Sequence, residues 1–139
     1  MKRVLIDSDV ILDFFFDRAP FAKDATILLS HCESGRIRGY ITPVIASNTY
    51  YLLSKTANHK KVTEKLIQLL TFIDVLTMDK SVVERAINSG FTDFEDALQN
   101  YAAIQHGKID AIVTRNVKDY KRSEISVLTP ELFLKVLTT

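Results

Sequence analysis

Two kinds of hydrophobic pattern alternate along the chain. Short apolar runs such as Val4-Leu5-Ile6 and Ala111-Ile112-Val113 are typical of buried parallel strands. Between such runs, apolar positions three and four residues apart are typical of helices that bury one face, as in residues 20–35. The pattern predicts strands at residues 4–6, 37–41, 73–78, 111–113 and 125–128, with helices between them. We therefore expect a three-layer α/β/α fold around a central parallel sheet of about four to five strands.

Several helix ends are marked by residues that favour them. Thr42 followed by Pro43 predicts an N-cap and a first-turn proline, and Pro20 fits the first turn of the helix over residues 20–35. Residues 92–95 have the S/T-x-x-E form of a capping box, which Glu95 would close. Glu95 would then point away from the face that Asp93 and Asp96 share. Gly107 predicts the end of that helix.

Composition narrows the class of protein. With 47% hydrophobic and 25% charged residues, the 139 residues fit one globular domain over positions 1–139. The net charge is only +1, so any binding of nucleic acid would depend on a local patch. The single cysteine, Cys32, excludes a disulfide framework and favours a cytoplasmic protein. The longest apolar stretch, residues 10–16, contains Asp13 and is far shorter than the roughly 20 residues of a membrane span, so no membrane association is expected.

The predicted fold indicates where a ligand would bind. In parallel sheets of this class, the ligand crevice lies at the carboxyl ends of the strands. The polar residues that first follow the predicted strands, together with the helix start at residues 92–96, should meet there. Those polar residues are Asp7-Ser8-Asp9, Thr42, Thr77 and Thr114-Arg115-Asn116.

Three aspartates are the strongest candidates for chemistry. Asp7 follows a buried strand, where its desolvation is unfavourable unless a cation or hydrogen-bond donors offset it; the alternative is that Asp7 only caps the next helix. Asp93 and Asp96 are three residues apart and share one face of a helix start, although acidic residues are favoured there in any protein. Carboxylates gathered in one crevice repel one another, which Mg²⁺ or Mn²⁺ would relieve. Such an ion favours phosphoryl chemistry.

The loop after the fourth strand offers further candidates. The Thr114 hydroxyl is suited to orienting a carboxylate or a water, and the Asn116 carbonyl is suited to binding a metal without adding charge. Asp119 reaches the same crevice if the loop after Asn116 turns helical. The alternative is an ordinary polar loop in which Asp119 pairs with Lys118 or Lys121.

Three segments together resemble the PIN domain family. They are Val4-Leu5-Ile6-Asp7-Ser8-Asp9-Val10-Ile11-Leu12-Asp13, then Asp96-Ala97 leading into Tyr101-Ala102-Ala103, then Ile112-Val113-Thr114-Arg115-Asn116 followed by Asp119-Tyr120. The resemblance covers nearly the whole chain. It implies a parallel sheet between helices and an Mg²⁺- or Mn²⁺-dependent ribonuclease, and many family members are toxins of bacterial toxin–antitoxin pairs.

The resemblance also implies roles for individual residues. Asp7 matches the first metal-binding aspartate of the family and Asp96 its third acid, whereas Asn48 and Asn116 stand where the second and fourth acids are expected. Metal ligands would thus be Asp7, Asp96 and Asn116. Our hypothesis is that Asp93 or Asp119 compensates for the two missing carboxylates.

A local basic patch is the candidate RNA-binding surface. Arg115 and Lys118 would contact phosphates, and Tyr120 would stack on an unpaired base, which favours single-stranded or looped RNA. The alternative is a solvated basic loop. Tyr50 and Tyr51 are interpreted as core and partner surface rather than as a stacking platform.

Three functions compete at this point. The leading one is a divalent-metal-dependent endoribonuclease, and the second is a PIN-fold module that binds RNA or protein and cleaves weakly or not at all. The third takes Asp7-Ser8-Asp9-Val10 as the nucleophile motif of haloacid dehalogenase-like phosphatases, but Thr114-Arg115-Asn116 lacks the paired acids that those enzymes need. For a toxin, the resemblance implies an antitoxin that inserts an Arg or Lys among the carboxylates and covers helix surface near Tyr50 and Tyr51. A homodimer is also common in the family.

Overall fold

A five-stranded parallel sheet with seven α-helices forms the protein in a computed structural model that describes residues 1–138. The sheet order is β3-β2-β1-β4-β5, and every neighbouring pair of strands is parallel. The predicted α/β fold with a central parallel sheet is confirmed. The elements in chain order are β1 (Arg3–Ile6), α1 (Ser8–Phe15), α2 (Ala22–Glu33), β2 (Arg38–Ile41), α3 (Pro43–Leu53), α4 (His59–Leu70), β3 (Ile73–Val75), α5 (Lys80–Ile87), α6 (Phe94–His106), β4 (Ala111–Val113), a 3₁₀ turn (Val117–Tyr120), β5 (Ser126–Leu128) and α7 (Pro130–Thr138).

The centre of the sheet is also its topological switch point. The chain places β2 and β3 on one side of β1 and then returns to place β4 and β5 on the other side. Val4, Leu5 and Ile6 of β1 are fully buried, as the continuous apolar run predicts. In open parallel sheets, ligands bind beyond the carboxyl ends of the strands at the point where the strand order reverses. The fold therefore directs attention to the loops after β1 and β4.

Most predicted helix ends are confirmed. Thr42 caps α3 by accepting a hydrogen bond from the Ile45 backbone N–H at 3.1 Å, with Pro43 in the first turn. Gly107 ends α6 in the left-handed region, with φ 83°. The placement of Pro20 in a first turn was wrong, because the turn after α1 continues through it and α2 begins at Ala22.

The capping box at residues 92–95 was also wrong by one residue. The N-cap of α6 is Asp93, whose Oδ1 accepts from the Asp96 backbone N–H at 3.0 Å. A short carboxylate at position 93 reaches that amide directly, so Thr92 precedes the cap and Glu95 has no role in it. Glu95 instead accepts a hydrogen bond from Asn48 of α3 at 3.2 Å. The acid expected to point away thus joins α6 to α3 near the carboxyl end of the sheet.

The helices of this fold are unsuited to crossing a bilayer. Across residues 1–138, none combines the length and the apolar character that a membrane span requires.

Candidate active site

The pairing of β1 with β4 brings Asp7 and Thr114 together. Ile6 lies opposite Val113 in the register, and the Asp7 backbone N–H donates to the Val113 carbonyl at 3.0 Å. One residue further, the Thr114 hydroxyl donates to Asp7 Oδ2 at 3.0 Å. Both residues are the first polar positions after buried strands, which is why the sequence alone placed them in the same crevice.

The Asp7 carboxylate is buried and surrounded by neutral donors. Its relative exposure is 6%, and it accepts from the Tyr120 hydroxyl at 3.1 Å and from the Ser8 backbone N–H at 2.8 Å. The bond to Ser8 caps α1, so Asp7 is a helix cap as well as a member of the crevice. Burial raises the pKa of Asp7 in spite of these donors. Within residues 1–138 no cationic side chain bonds to it, which leaves its charge uncompensated.

The other predicted acids gather around Asp96. Burial, followed by repulsion from Asp7 and Asp93, raises the pKa of Asp96 to about 7, and Asp119 adds to the repulsion. Asp119 is close because the loop after Asn116 does turn helical, as the 3₁₀ turn Val117–Tyr120. The fold thus brings Asp7, Asp93, Asp96 and Asp119 into one electrostatically coupled group.

Asp9 belongs to the same crevice, as expected from its place after β1, although the sequence assigned it no role in the nuclease site. Its Oδ2 accepts from the Arg115 backbone N–H at 3.0 Å and from Asn116 Nδ2 at 3.3 Å. Burial and repulsion from Asp7 raise the pKa of Asp9 to about 6, and its Oδ1 is buried without a hydrogen-bond partner. The signal was present in the sequence, since Asp9 lies in the Asp7-Ser8-Asp9 segment that follows β1.

Asn48 and Asn116, which stand where the resemblance leads us to expect acids, each contact a carboxylate. Asn48 donates to Glu95 at 3.2 Å, and Asn116 donates to Asp9 at 3.3 Å. The side chains at these two positions are therefore neutral, but negative charge remains beside each of them.

The donor set suits a hard divalent cation that keeps most of its water ligands. Among the described residues, no three or more His, Cys, Asp and Glu side chains are grouped closely enough to enclose a metal. Asp7 and Asp96, however, both lie near the Tyr120 hydroxyl, which donates to Asp7, and repulsion between the two carboxylates raises the pKa of Asp96. Mg²⁺ is commonly bound through one or two carboxylates and several waters. The residues present fit such an open site, with Asp7 and Asp96 as its carboxylates.

Tyr120 does not form the stacking platform that the sequence suggested. Its side chain is 1% exposed, so no base can lie against its ring. Burial and the neighbouring charges of Asp7 and Asp96 raise the pKa of the phenol, which therefore stays protonated and donates to Asp7. Tyr120 is a support beneath the acidic group rather than an RNA contact.

Replacing Tyr120 with Phe tests this correction. The Tyr120→Phe variant is expected to lose roughly 1 kcal/mol of unfolding free energy, because Asp7 loses a buried hydrogen bond. Its affinity for single-stranded RNA in chelator should equal that of the wild type. Thermal denaturation and fluorescence anisotropy measure the two quantities, and a weakened RNA affinity in a fully folded variant would restore the stacking role.

Arg115 is also engaged elsewhere than predicted. Its guanidinium forms a two-pronged ion pair with Asp13, at 2.6 and 3.0 Å, and lies 4.0 Å from the centroid of the Phe21 ring. Asp13 is 1% exposed, so the guanidinium neutralises a buried charge of α1. The Nε and Nη2 groups of Arg115 thus attach the β4 loop to α1, and contact of Arg115 with phosphate stays a prediction.

Lys118 lies beside the acidic group, in a recess that it shares with Asp119. Together with Lys121 and Arg122 it lines a recess of 230 Å³ beside Asp119, whose other wall is the segment before α6. None of these three cations forms an ion pair within residues 1–138. Contact of Lys118 with phosphate stays a prediction.

Known proteins of the same fold are toxin–antitoxin components. A toxin–antitoxin complex from Klebsiella pneumoniae contains a chain with TM-score 0.69 and 19% identity, over 91% of this chain and 97% of that one. VapBC-1 from nontypeable Haemophilus influenzae gives TM-score 0.67 and 12% identity, over 93% and 98%. VapC20 from Mycobacterium tuberculosis, a toxin that cleaves the sarcin–ricin loop, gives TM-score 0.60 and 15% identity, over 78% and 86%. At these identities the likeness establishes the fold alone. No curated protein matches the sequence significantly.

The sequence itself carries the family relationship. A sequence model of the PIN domain matches residues 3–118, which include every element from β1 to β4. This match favours the PIN interpretation over the phosphatase alternative. The chain belongs to the PIN domain family.

Proposed function

We propose that the protein is a divalent-metal-dependent endoribonuclease. The observation that carries the proposal is a group of buried or half-buried carboxylates, Asp7, Asp9 and Asp96, at the switch point of the sheet. Their pKa values are raised, and among residues 1–138 only Asp9 has a cationic neighbour, Arg115. An arrangement of this kind is electrostatically unfavourable by itself and is favoured when a cation binds.

Each predicted residue has a part in the proposed site. Asp7 and Asp96 hold Mg²⁺ or Mn²⁺, and Asn116 contributes its side-chain carbonyl. Asp93 and Asp119 add negative potential beside Asp96, which supports the compensation hypothesis. The Thr114 and Tyr120 hydroxyls fix the orientation of the Asp7 carboxylate, so that its oxygens need not reorganise when the substrate arrives.

The chemistry follows from the ion and the acids together. When bound, the ion activates a water and stabilises the developing charge on a phosphodiester. The nearby Asp9 carboxylate, which is not assigned to the ion and whose pKa is raised by burial and by repulsion from Asp7, can accept the proton that the water releases. Hydrolysis by water leaves a 5′-phosphate and a 3′-hydroxyl on the RNA products.

The biological setting that we propose is a cytoplasmic toxin with a protein antitoxin. The solved structures of this fold include a toxin–antitoxin complex from Klebsiella pneumoniae, and FitAcB from Neisseria gonorrhoeae and VapBC2 from Rickettsia felis have the same fold. In this chain, uncompensated carboxylates offer a binding site for an antitoxin Arg or Lys, which would neutralise them as the metal does. A homodimer is a further expectation from the family.

A catalytically weak RNA- or protein-binding module is the second candidate. The observation that favours it is that no three acidic side chains of the described residues enclose a metal position, in keeping with the asparagines at 48 and 116. This candidate predicts RNA or partner binding without metal-stimulated cleavage.

Cleavage of single-stranded RNA by the purified protein decides between the two. We expect cutting with Mn²⁺ or Mg²⁺, none in chelator, and 5′-phosphate product ends. Protein carrying both Asp7→Asn and Asp96→Asn is the matched control for contaminating nucleases. Products with 2′,3′-cyclic phosphate ends would contradict hydrolysis by water, and RNA binding without cleavage would favour the second candidate.

A further inference from the structure

A cleft of 690 Å³ opens beside Asp9, between the start of α1, the helix α3 and the start of α6. It adjoins the acidic group at Asp9 and shares no lining residue with the Lys118 recess. Its volume is within the range of ligand pockets, roughly 300–1,000 Å³. Nothing in the roles assigned so far to the acidic residues uses this cleft.

The helix α3 and the turn after it supply an aromatic and a basic side chain of the cleft. Asn48 and Tyr51 lie three residues apart on α3, and Lys55 lies in the turn after its last residue, Leu53. Arg18 is the second basic residue that lines the cleft. Tyr51 is 67% exposed, and its ring is held at its edge by Tyr50, which in turn bonds to His59 at 2.9 Å. The Lys55 side chain is exposed and has no ion-pair partner within residues 1–138. Proteins that bind single-stranded nucleic acid combine exposed aromatic rings, on which bases stack, with basic side chains that contact the phosphates.

The floor of the cleft provides a hydrogen-bonding edge. Glu95 and Asn48 meet there at 3.2 Å. A carboxylate only accepts hydrogen bonds, so it favours a base with an exocyclic amino group, such as cytosine or adenine, over uracil, which presents a carbonyl at the same place. The negative charges of Glu95 and Asp9 disfavour a phosphate near them, whereas the positive charge of Lys55 favours a phosphate at its part of the cleft.

We propose that this cleft binds the nucleotide next to the cleaved bond, with its base against Tyr51, its phosphate at Lys55 and its amino group at Glu95. The inference rests on the proposed nuclease function and adds a position and a base preference to it. It also revises the interpretation of Tyr51, which the sequence had favoured as partner surface. The Lys118 recess beside Asp119 is separate from this cleft and would contact another part of the same strand.

The test measures RNA affinity without cleavage, in chelator, with short labelled oligo-C and oligo-U. Tyr51→Leu is expected to weaken oligo-C binding at least about fivefold, the lower end of the contribution of base–aromatic stacking, whereas Tyr51→Phe should bind as the wild type does. Lys55→Ala should weaken both oligonucleotides equally and reduce the salt dependence. The matched control is Lys108→Ala, because Lys108 is exposed and precedes β4 at the opposite end of the sheet.

The base preference has its own variant. The wild type is expected to bind oligo-C roughly threefold more tightly than oligo-U, the factor that one net hydrogen bond supplies, and Glu95→Gln should abolish the difference, since an amide can also donate to uracil. The two pyrimidines have similar stacking surfaces, so the ratio reports the edge contact.

The outcomes separate this inference from the nuclease function. Wild-type RNA affinity in Tyr51→Leu and Lys55→Ala would overturn the inference, leave the nuclease intact and indicate that the cleft serves a protein partner. The absence of any oligonucleotide binding by the wild type would also overturn it. Tyr51-dependent binding by a protein that never cleaves would support the cleft and overturn the nuclease.

Discussion

Asp96→Asn is expected to lower metal-dependent RNA cleavage about 100-fold or more, because the ion would lose one of its two carboxylates and with it several kcal/mol of charge stabilisation. The same variant should lose most of the thermal stabilisation that Mn²⁺ gives to the wild type. Asn keeps the size and shape of the side chain, so the change removes charge with little effect on packing.

Without metal, Asp96→Asn should raise the free energy of unfolding above neutral pH, although it removes the stabilisation that Mn²⁺ provides. The folded pKa of Asp96, about 7, is above its unfolded value. Its favourable contribution is therefore complete below the unfolded pKa and is lost as the pH rises through about 7. At pH 8 the variant should be more stable than the wild type by about 1 kcal/mol after allowance for solvent screening, and at pH 5 the gain should be smaller.

Thermal denaturation at the two pH values, with and without Mn²⁺, measures this combination, and RNA cleavage is followed in parallel. Glu64→Gln is the matched control, since Glu64 is an exposed acid on α4, away from the crevice. An Asp96→Asn protein that bound Mn²⁺ as tightly as the wild type would refute the proposed ligand. A variant less stable than the wild type at pH 8 would show that Asp96 is structurally required instead.

The parts of the molecule that could be predicted from sequence are those determined by local pattern. The run Val4-Leu5-Ile6 identified the buried central strand, Thr42-Pro43 identified the start of α3, and Asp7 followed from its place after β1. The rule for parallel sheets is then sufficient to predict that Asp7, Thr114 and the start of α6 lie together.

The parts that could not be predicted from sequence depend on distances between elements. Tyr120 and Arg115 are polar residues in a basic loop, and no local pattern tells that one is buried beneath Asp7 and the other pairs with Asp13, about a hundred residues earlier in the chain. Glu95 was misassigned because two capping arrangements differ by one residue, and only the backbone at position 93 decides between them. Side chains that reach across elements are therefore what the structure adds.

The ion pair between Asp13 and Arg115 is expected to be the most important single polar contact for stability. Asp13→Asn should lower the free energy of unfolding by about 2–3 kcal/mol, because a charge-assisted, two-pronged bond is lost and the Arg115 guanidinium remains partly buried without a counterion. A loss of this size corresponds to a fall of roughly 6–12 °C in Tm for a chain of this length. Arg115 is partly exposed, which keeps the expected loss below that of a completely buried pair.

Arg18→Gln is the matched control for this prediction. Arg18 also pairs with Asp13, but at 3.6 Å and with a side chain that is 41% exposed, so its loss should lower the stability by less than about 1 kcal/mol. A double-mutant cycle of Asp13→Asn with Arg115→Gln isolates the coupling, since Arg115→Gln alone leaves the Asp13 carboxylate buried and unpaired. Equal effects of Asp13→Asn and Arg18→Gln would contradict a special role for Arg115.

Loss of this ion pair should also affect the crevice, because the Arg115 backbone N–H donates to Asp9. The loop that orients the crevice should become less ordered in Asp13→Asn. A weaker Mn²⁺ affinity of this variant, measured at a temperature where it is fully folded, would demonstrate the connection.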